Sequence, residues 1–394
     1  MKPEIFEAKY GIERLNTNCT KWDGLEGKFG EKDLISMWVA DMDFKAPEQV
    51  IETLKKRIDH GVFGYSQISE SYYNSFINWE EKHHNYKIKK EWMRYTPGVV
   101  AGIYWIVNMF TKPGDAVLVS TPVYYPFHNA VKENDRKLIC SNLINNNGTY
   151  IFDFNDFENK IKENDVKVYI LCSPHNPVGR VWKEDELEKI FDICEKNNVL
   201  IISDEIHHDL ILSGKHIPSA IVKGGKYSKN IITLTAPSKT FNLAGCQNSI
   251  AIIENEKIRE IFDKYATTVA RVSNGNLFGY VAAEAAYTYG EEWLKGAINT
   301  ISSNYNYMVE RLKEELPKII VSPLEGTYLS WLDLRDYITP EKIQEVIQKE
   351  CRLAVDYGEW FGEIGLGFIR INLATSRKYV EQAVENLIKV LKNK

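Results

Sequence analysis

The stretch Asn230-Ile231-Ile232-Thr233-Leu234-Thr235, followed by Ala236-Pro237-Ser238-Lys239-Thr240-Phe241, decides the fold that we predict for this chain. An apolar run that does not alternate with polar residues is typical of a strand buried on both faces of a parallel sheet. Lys239 lies just beyond this strand, where an amine must either be neutralised by another group or take part in chemistry. Lysine is suited to forming a Schiff base with an aldehyde, although a surface loop could also carry one. The neighbouring strand ends therefore decide what Lys239 does.

Similar apolar runs alternate with amphipathic stretches from about residue 98 to residue 254. They predict strands at 116–120, 137–140, 167–172, 199–203, 231–235 and 249–253. A helix predicted over 183–196 carries apolar residues at helical spacing. This pattern predicts an α/β unit with a mostly parallel sheet.

A second region begins near residue 290 and predicts a smaller α+β domain. Its predicted helices are 291–316, 340–349 and 376–392, and its predicted strands are 319–321, 327–334 and 368–373. We expect residues 47–288 to form the large domain. Residues 1–46 and 289–394 are expected to form the small one, because the first residues have no place in the central sheet.

Composition restricts the partners and the compartment. The net charge of −5 over 394 residues leaves no electrostatic footprint for nucleic acid or an anionic membrane. No apolar run has the length of a membrane span, and the first residues lack a signal-peptide core, so we expect a cytoplasmic protein. The six cysteines form no CxxC pair, and His83-His84 and His207-His208 lack ligand spacing. We therefore expect no metal site.

Three segments with reactive or polar side chains follow three predicted strands. They are Ser173-Pro174-His175-Asn176-Pro177, Asp204-Glu205-Ile206-His207 and Ser238-Lys239. Ligands in open α/β sheets bind beyond the carboxyl ends of the strands, so these segments are predicted to meet at one edge. Together they fit pyridoxal phosphate, which needs a lysine, an anion at its pyridine nitrogen, a donor at its phenolic oxygen, a stacking ring and a phosphate cradle.

Several residue types match these needs, each with a plainer alternative. Asp204 could pair with the pyridinium, or it could only cap a helix. Asn176 could donate to the phenolic oxygen, or it could be a turn residue beside proline. Tyr124 and Tyr125 are both candidates for the stacking ring, and their spacing does not choose between them.

The phosphate and the substrate have candidates as well. Gly98-Val99-Val100-Ala101-Gly102 precedes an apolar stretch, and backbone amides at a helix start bind phosphate. Ser238 adds a hydroxyl next to Lys239. Arg370 lies in the apolar run Phe368-Ile369-Arg370-Ile371-Asn372, where it could bind a substrate α-carboxylate or form a structural ion pair.

Taken together, these segments resemble the fold-type I pyridoxal phosphate enzymes of the class I/II aminotransferase superfamily over nearly the whole chain. Trp38-Val39-Ala40-Asp41-Met42-Asp43-Phe44 and Ser203-Asp204-Glu205-Ile206-His207-His208-Asp209 are similar to the cystathionine β-lyase (cysteine-S-conjugate β-lyase) branch. The resemblance implies a large pyridoxal-phosphate-binding domain whose mostly parallel seven-stranded sheet is sandwiched by helices. It also implies a homodimer with active sites at the subunit interface.

The resemblance assigns the catalytic and substrate-binding roles residue by residue. It makes Lys239 the lysine that binds the cofactor and Asp204 the partner of the pyridine nitrogen. It makes Asn176 the donor to the phenolic oxygen, and it favours Tyr124 as the stacking ring. Arg370 is assigned to the α-carboxylate of the substrate.

The same resemblance assigns the phosphate contacts and marks two departures. Val99 and Val100 would give backbone amides to the phosphate, and Tyr65 matches a tyrosine that reaches the phosphate of the neighbouring subunit. His207 stands where aminotransferases commonly place a tyrosine that binds the phenolic oxygen. Gln247 stands where many of them have a phosphate-binding arginine, which implies a less cationic phosphate cup.

The branch implies β-elimination from L-cystathionine or another S-substituted L-cysteine, giving pyruvate, ammonia and a thiol. Transamination of an L-amino acid uses the same residues and is the first alternative. A regulatory protein that binds a transcription factor and retains the cofactor is the second. The residues do not identify which S-substituted cysteine is the substrate.

Overall fold

The computed structural model describes residues 1–272 and 275–394. Its strands, in chain order, are β1 (Ile35–Ser36), β2 (Met93–Thr96), β3 (Ala116–Thr121), β4 (Lys137–Asn142), β5 (Ile144–Asn146), β6 (Thr149–Ile151), β7 (Val168–Cys172), β8 (Leu200–Asp204), β9 (Ile231–Thr235), β10 (Ser249–Ile253), β11 (Ile320–Val321), β12 (Leu329–Asp333), β13 (Leu353–Ala354), β14 (Asp356–Tyr357) and β15 (Phe368–Asn372).

The α-helices, in the same order, are α1 (Pro3–Tyr10), α2 (Leu25–Phe29), α3 (Glu48–Asp59), α4 (Glu70–His84), α5 (Val99–Phe110), α6 (Pro126–Lys132), α7 (Phe154–Asn164), α8 (Glu184–Lys196), α9 (Pro237–Thr240), α10 (Glu256–Thr268), α11 (Leu277–Tyr289), α12 (Glu291–Glu315), α13 (Ile343–Glu345) and α14 (Arg377–Leu391). None of the described helices is both long enough and apolar enough to cross a membrane.

The central sheet has seven strands in the order β2-β10-β9-β8-β7-β3-β4. The pairs from β9 to β4 are parallel, whereas β10 runs antiparallel to both β9 and β2. Every residue of β3, β7, β8 and β9 is buried, as expected for strands covered by helices on both faces. The predicted α/β fold with a mostly parallel sheet is confirmed.

The edge strand β2 is absent from the six strands that the sequence predicts. Its four residues, Met93–Thr96, alternate too little to be distinguished from a loop, and pairing with β10 supplies their hydrogen bonds. The helix predicted over 340–349 is also wrong in detail. The structure has a 3₁₀ turn at Pro340–Lys342, the short α13, and a π-helical turn at Val346–Glu350.

The last third of the chain forms a second sheet, with its strands in the order β11-β12-β15-β14. The first residues join this region: β1 pairs with β13, and α1 packs on α12. One apolar cluster includes residues of both regions, for example Phe241 and Tyr328. The domain division at 46/47 and 288/289 stays a prediction.

The parallel strands bring their carboxyl ends to one edge, and that edge positions the site. Asp204 is the last residue of β8, and Lys239 follows β9 by four residues. Asn176 and Tyr124 lie in the loops that leave β7 and β3. The segment that precedes Phe44 crosses the same edge, because Asn372 Nδ2 donates to the carbonyl oxygens of Val39, at 2.6 Å, and Asp41, at 2.7 Å.

Candidate active site

A cavity of about 180 Å³ opens at the carboxyl edge of the sheet. Eight residues that the sequence singles out for cofactor binding line this cavity: Val99, Val100, Tyr124, Asn176, Asp204, His207, Ser238 and Lys239. They come from five separate segments of the chain, each at a strand end, in a loop or in a helix. The fold thus gathers residues that lie up to 140 positions apart in the chain.

Lys239 lies in α9 and is partly exposed to the cavity. Its Nζ donates a hydrogen bond to the Ala40 carbonyl oxygen at 2.6 Å. Loss of water around the amine lowers the pKa of Lys239 to about 8, and the charge of Arg370 acts in the same direction. About a tenth of the amine is therefore neutral near pH 7, and the neutral form is the one that a nucleophile or base requires.

Asp204 is buried and forms no ion pair with any of the described residues, although the charge of Lys239 acts on it. Its Oδ1 accepts a hydrogen bond from the Ile206 amide at 3.0 Å, and no salt bridge reaches it from any residue that the structure describes. Burial raises the pKa of Asp204 to about 7. Burying an unpaired carboxylate costs free energy, so its place beside a cavity indicates a ligand with a cationic group. A pyridinium N–H is such a group.

Asn176 lines the cavity and contacts Arg370, which is not itself one of the residues that line it. Arg370 Nη1 donates to Asn176 Oδ1 at 3.0 Å, which leaves the Asn176 amide nitrogen to donate to a ligand. Arg370 also forms a buried ion pair with Asp356, its neighbour across β14 and β15. The two readings of Arg370, a structural ion pair and a carboxylate ligand, are therefore compatible, because its Nε is buried with no hydrogen-bond partner among the described residues.

Tyr124 and His207 supply two rings to the cavity. The Tyr124 amide donates to the Asn176 carbonyl oxygen at 3.1 Å, so the loops after β3 and β7 hold each other. The ring of Tyr124 lines the cavity, whereas that of Tyr125 packs against Trp360 and Phe361. Burial holds the pKa of His207 well below its ordinary value, and its Nδ1 has no hydrogen-bond partner in the described part of the chain.

The amino end of α5 faces the cavity. Val99 and Val100 are the first residues of this helix, so their amide groups have no partner within it. A Cβ built on Gly98 would meet no atom within 4 Å, which shows that the approach to this helix end is open. Ser238 stands across the cavity in α9. Helix-start amides and a hydroxyl are the donors that a phosphate needs.

Tyr65 is the predicted cofactor residue that does not reach this cavity. It is fully exposed and lines a separate surface groove with Phe63 and Arg271. Its predicted contact lies in a neighbouring subunit, which a single chain does not test.

Three residues at the site are missing from the sequence-based set. Ala40 holds Lys239 through its carbonyl oxygen, and backbone acceptors leave no signal in a sequence. Asp356 is one acidic residue among many until the register of β14 and β15 places it opposite Arg370. Asn248 lines the cavity with a buried Nδ2 that has no partner among the described residues, while Tyr72 Oη donates to its Oδ1 at 3.0 Å. Its place directly after Gln247 was the available signal.

A second group of polar side chains lies behind the site. Glu80, His84 and His208 bring one possible metal-ligand atom each to within 4.8 Å of one another, and all three are buried. They come from α4 and from the segment after β8. Their spacing in the sequence could not reveal this group, because α4 and β8 are more than 100 residues apart. The predicted absence of a metal stays a prediction.

With this geometry in place, the family can be stated. The sequence profile of the family "Aminotransferase class I and II" matches residues 32–387, so the chain belongs to this family. Cystathionine beta-lyase PatB of Bacillus subtilis (strain 168) is 38% identical over 379 residues, which are 95% of this chain and 97% of PatB.

Two solved structures are similar over nearly the full length. A pyridoxal-phosphate-bound structure from Clostridium difficile 630, described as an aminotransferase, has a TM-score of 0.94 and 44% identity, covering 98% of this chain and 99% of that one. Cystalysin from Treponema denticola, which contains pyridoxal 5'-phosphate, has a TM-score of 0.92 and 39% identity, covering 97% of this chain and 98% of its own.

Proposed function

We propose that this protein is a pyridoxal-phosphate-dependent carbon–sulfur β-lyase that acts on L-cystathionine or a related S-substituted L-cysteine. The observation that carries the proposal is the pair formed by Asp204 and Lys239. A buried carboxylate that forms no ion pair within the described part of the chain and an amine with a pKa of about 8 line the same cavity. This pair matches the two ends of a pyridoxal ring, which offers a pyridinium N–H and an aldehyde.

The remaining residues of the cavity fit the other parts of the cofactor. Tyr124 offers a ring to stack on the pyridine, and the Asn176 amide nitrogen and His207 offer donors for the phenolic oxygen. The amides of Val99 and Val100, the Ser238 hydroxyl and Asn248 Nδ2 offer donors to the phosphate.

Bound pyridoxal phosphate supplies an electron-withdrawing ring that makes the α-carbon proton of an attached amino acid acidic. Asp204, as a carboxylate, favours the protonated pyridine nitrogen on which this withdrawal depends. Lys239 Nζ is the base that we propose for the Cα proton, because its lowered pKa leaves it neutral often enough. Arg370 would bind the α-carboxylate and fix the direction of the Cα–H bond. Loss of the Cα proton then lets the Cβ–S bond break, and the sulfur leaves as a thiolate.

The relatives favour the lyase over the transaminase. PatB is named a cystathionine beta-lyase, and a pyridoxal-phosphate-bound C–S lyase from Staphylococcus hominis is 35% identical with a TM-score of 0.90. His207, in place of the tyrosine common in aminotransferases, also separates this site from theirs. Transamination is the second candidate, because the Clostridium difficile structure is described as an aminotransferase.

The test is a steady-state panel of cystathionine, cystine, cysteine and S-alkyl cysteines, in which pyruvate and the released sulfur product are measured together. That product is a thiol from cystathionine and S-alkyl cysteines, the persulfide thiocysteine from cystine, and hydrogen sulfide from cysteine. We expect pyruvate and the sulfur product in equal amounts, and cofactor that stays in its aldehyde form. Accumulation of the amine form of the cofactor with an amino acid, without pyruvate, would instead establish the transaminase.

We further propose that the protein acts as a homodimer in the cytoplasm. A dimer is supported by Tyr65, which is fully exposed beside the exposed apolar residues Val62 and Phe63. The cytoplasm is supported by the cysteines, since all six are free thiols. Sedimentation of the holoenzyme tests the first point. If Tyr65→Phe leaves the affinity for pyridoxal phosphate unchanged, Tyr65 does not bind the partner's phosphate.

A further inference from the structure

A network of buried acidic and histidine side chains lies behind the active-site cavity, and Asp209 is its centre. Asp209 Oδ1 accepts hydrogen bonds from Trp79 Nε1 at 2.9 Å and from His84 Nε2 at 2.8 Å. Its Oδ2 accepts one from Thr240 Oγ1 at 2.8 Å. Thr240 is fully buried and directly follows Lys239 in the four-residue helix α9. Asp209 therefore binds the short helix that carries Lys239.

A second connection joins the same two segments a few residues away. His208 Nδ1 lies 2.8 Å from Thr235 Oγ1 and also contacts the Glu205 carbonyl oxygen. Thr235 is the last residue of β9, and Glu205 directly follows Asp204. The segment that carries Asp204 and the segment that carries Lys239 are thus held together at both ends by buried side chains.

The charges of these side chains strengthen the hydrogen bonds that join the two segments. Burial opposes the charged form of Asp209, but His208 and His84 together hold the pKa of Asp209 below its ordinary range. Burial likewise opposes the imidazolium, yet the charges of Asp209 and Glu80 raise the pKa of His208 to about 10. An ionised carboxylate makes shorter and stronger hydrogen bonds than a neutral amide would. The hydroxyl of Thr240 thus donates to a charged acceptor.

Neither Asp209 nor Thr240 lines the cavity, so Asp209 acts on the site through a neighbour, and its hydrogen bond to Thr240 leads to Lys239. Two features make such an effect expected. Helix α9 is only four residues long and cannot fix its own orientation, and the strand before it ends at Thr235. The amine of Lys239 must meet both a cofactor aldehyde and a Cα proton, and small misplacements of a reacting group are costly.

We propose that Asp209 is a positioning residue for Lys239, which acts through the hydroxyl of Thr240 and fixes the amine relative to Asp204. This inference rests on the proposed function, because it gives Lys239 the task of carrying the cofactor and the proton. It assigns the buried network a role in the geometry of the site beyond its role in stability.

The test compares Thr240→Val with Thr240→Ser in the holoenzyme. Valine keeps the shape of threonine and removes the hydroxyl, whereas serine keeps the hydroxyl. We expect Thr240→Val to lower kcat on the order of 10-fold with KM changed less than about 2-fold. We also expect the visible circular dichroism of the bound cofactor to change in Thr240→Val, and Thr240→Ser to restore most of both signals.

Thr267→Val provides the matched control, because Thr267 is an exposed threonine on α10 that does not line the cavity and whose hydroxyl, among the described residues, donates to its own helix. Thermal unfolding of each variant separates loss of fold from loss of position. The dichroism does not depend on the reaction, so it still distinguishes the variants if the protein turns out to be a transaminase. Failure of the proposed function would show instead as wild-type enzyme that releases no thiol.

Two results would overturn the inference. One is Thr240→Val with wild-type kcat and wild-type dichroism, and the other is equal impairment of the valine and serine variants. Retention of one equivalent of a metal ion by wild-type enzyme after dialysis against a chelator, lost in His84→Ala, would also overturn it. Glu80, His84 and His208 would then be ligands of that ion, and the network would not be a hydrogen-bonded clamp.

Discussion

Two neighbouring regions of this molecule bury charge in opposite ways. Around Glu205 and Asp209, each carboxylate accepts several hydrogen bonds: Glu205 from His216 Nε2 at 3.0 Å and the Ser219 amide at 2.9 Å, and Asp209 from Trp79, His84 and Thr240. In the cavity, Asp204 has a single backbone donor.

The difference teaches how to separate structural charge from functional charge when both are buried. The pKa of Glu205 is lowered, because its hydrogen bonds to His216 and Ser219 outweigh the cost of burial. The pKa of Asp204, one residue earlier, is raised to about 7, because the Ile206 amide and the charge of Lys239 offset only part of the cost of burial. A protein that leaves a buried carboxylate so poorly compensated is prepared for a ligand that provides the missing cation.

Lys239→Ala is the substitution for which we expect the largest effect, a loss of activity without a loss of stability. We expect kcat for thiol release to fall by about 10³-fold or more, because the base and the point of cofactor attachment are lost together. The midpoint of thermal unfolding should stay within a few degrees of wild type, since no carboxylate loses a salt bridge. Lys229→Ala, which removes an exposed lysine paired with Glu254, is the control and should be fully active. Substantial activity in Lys239→Ala would remove the basis of the proposed function.

The adjacent pair Asp204→Asn and Glu205→Gln sharpens the contrast most directly. Glu205→Gln should cost about 1–3 kcal/mol in the free energy of unfolding, because the buried hydrogen bonds of Glu205 to His216 and Ser219 are weakened or lost. Asp204→Asn should keep or raise this free energy and lower kcat on the order of 10²-fold, since it removes a charge that stabilises the reacting state. Denaturant unfolding and thiol release are measured on both variants. An exchange of the two phenotypes would mean that the roles are assigned the wrong way round.

Arg370→Lys tests a guanidinium that pairs with the buried Asp356 and is also proposed to bind the substrate carboxylate. Lysine retains the charge for Asp356 but loses the fork that binds a carboxylate with two donors. We expect KM to rise about 10- to 100-fold, which corresponds to one charge-assisted hydrogen bond, with a smaller change in kcat. The matching control substrate is a cysteine S-conjugate whose α-carboxylate is an amide. The arginine is purely structural if the variant discriminates between acid and amide as well as wild type does.

The smallest expected effect is a difference in the response to alkaline pH. The folded-state pKa of His208 is raised to about 10, so its stabilisation is complete below its ordinary value near 6.5 and is lost as the pH rises through 10. The folded-state pKa of Lys239 is lowered to about 8, so stability from this group increases between about pH 8 and its ordinary value near 10.5. As the pH rises from about 8 to about 10, the contributions of His208 and Lys239 to stability therefore change in opposite directions.

Cofactor-free Lys239→Ala lacks the second contribution. Its midpoint of thermal unfolding should fall more steeply from pH 8 to pH 10 than that of cofactor-free wild type, by a few degrees. Equal slopes for the two proteins would show that the amine of Lys239 has an ordinary pKa in the folded state.

Much of the fold could be read from the sequence because its strong signals are local. The apolar runs that became β3, β7, β8 and β9 are buried on both faces, so their side chains alone mark them. The edge strand β2 has no such signal, because it is not a continuous apolar run. Its backbone hydrogen bonds to β10 make it a strand, and they cannot be read from its side chains. The turns at 340–350 were misjudged as one helix because amphipathic spacing does not distinguish an α-helix from successive 3₁₀ and π turns.

The candidate site divides in the same way. Lys239, Asp204 and Asn176 could be found because each follows a recognisable strand, and parallel strands bring their ends together. Asp356 and Asn248 could not, because only strand register and loop geometry place them beside Arg370 and the cavity.

The sequence by itself determined most of the sheet, the edge at which the candidate cavity lies and the three strand ends whose side chains line it. Only the tertiary structure decided which buried charges are compensated. Asp204 and Glu205 are neighbours with the same kind of side chain, and no local pattern separates them. They differ because Glu205 points toward Ser203, His216 and Ser219, which all donate to it, while Asp204 points toward the cavity. Compensation of charge depends on distances in space, which the order of residues along a chain does not contain.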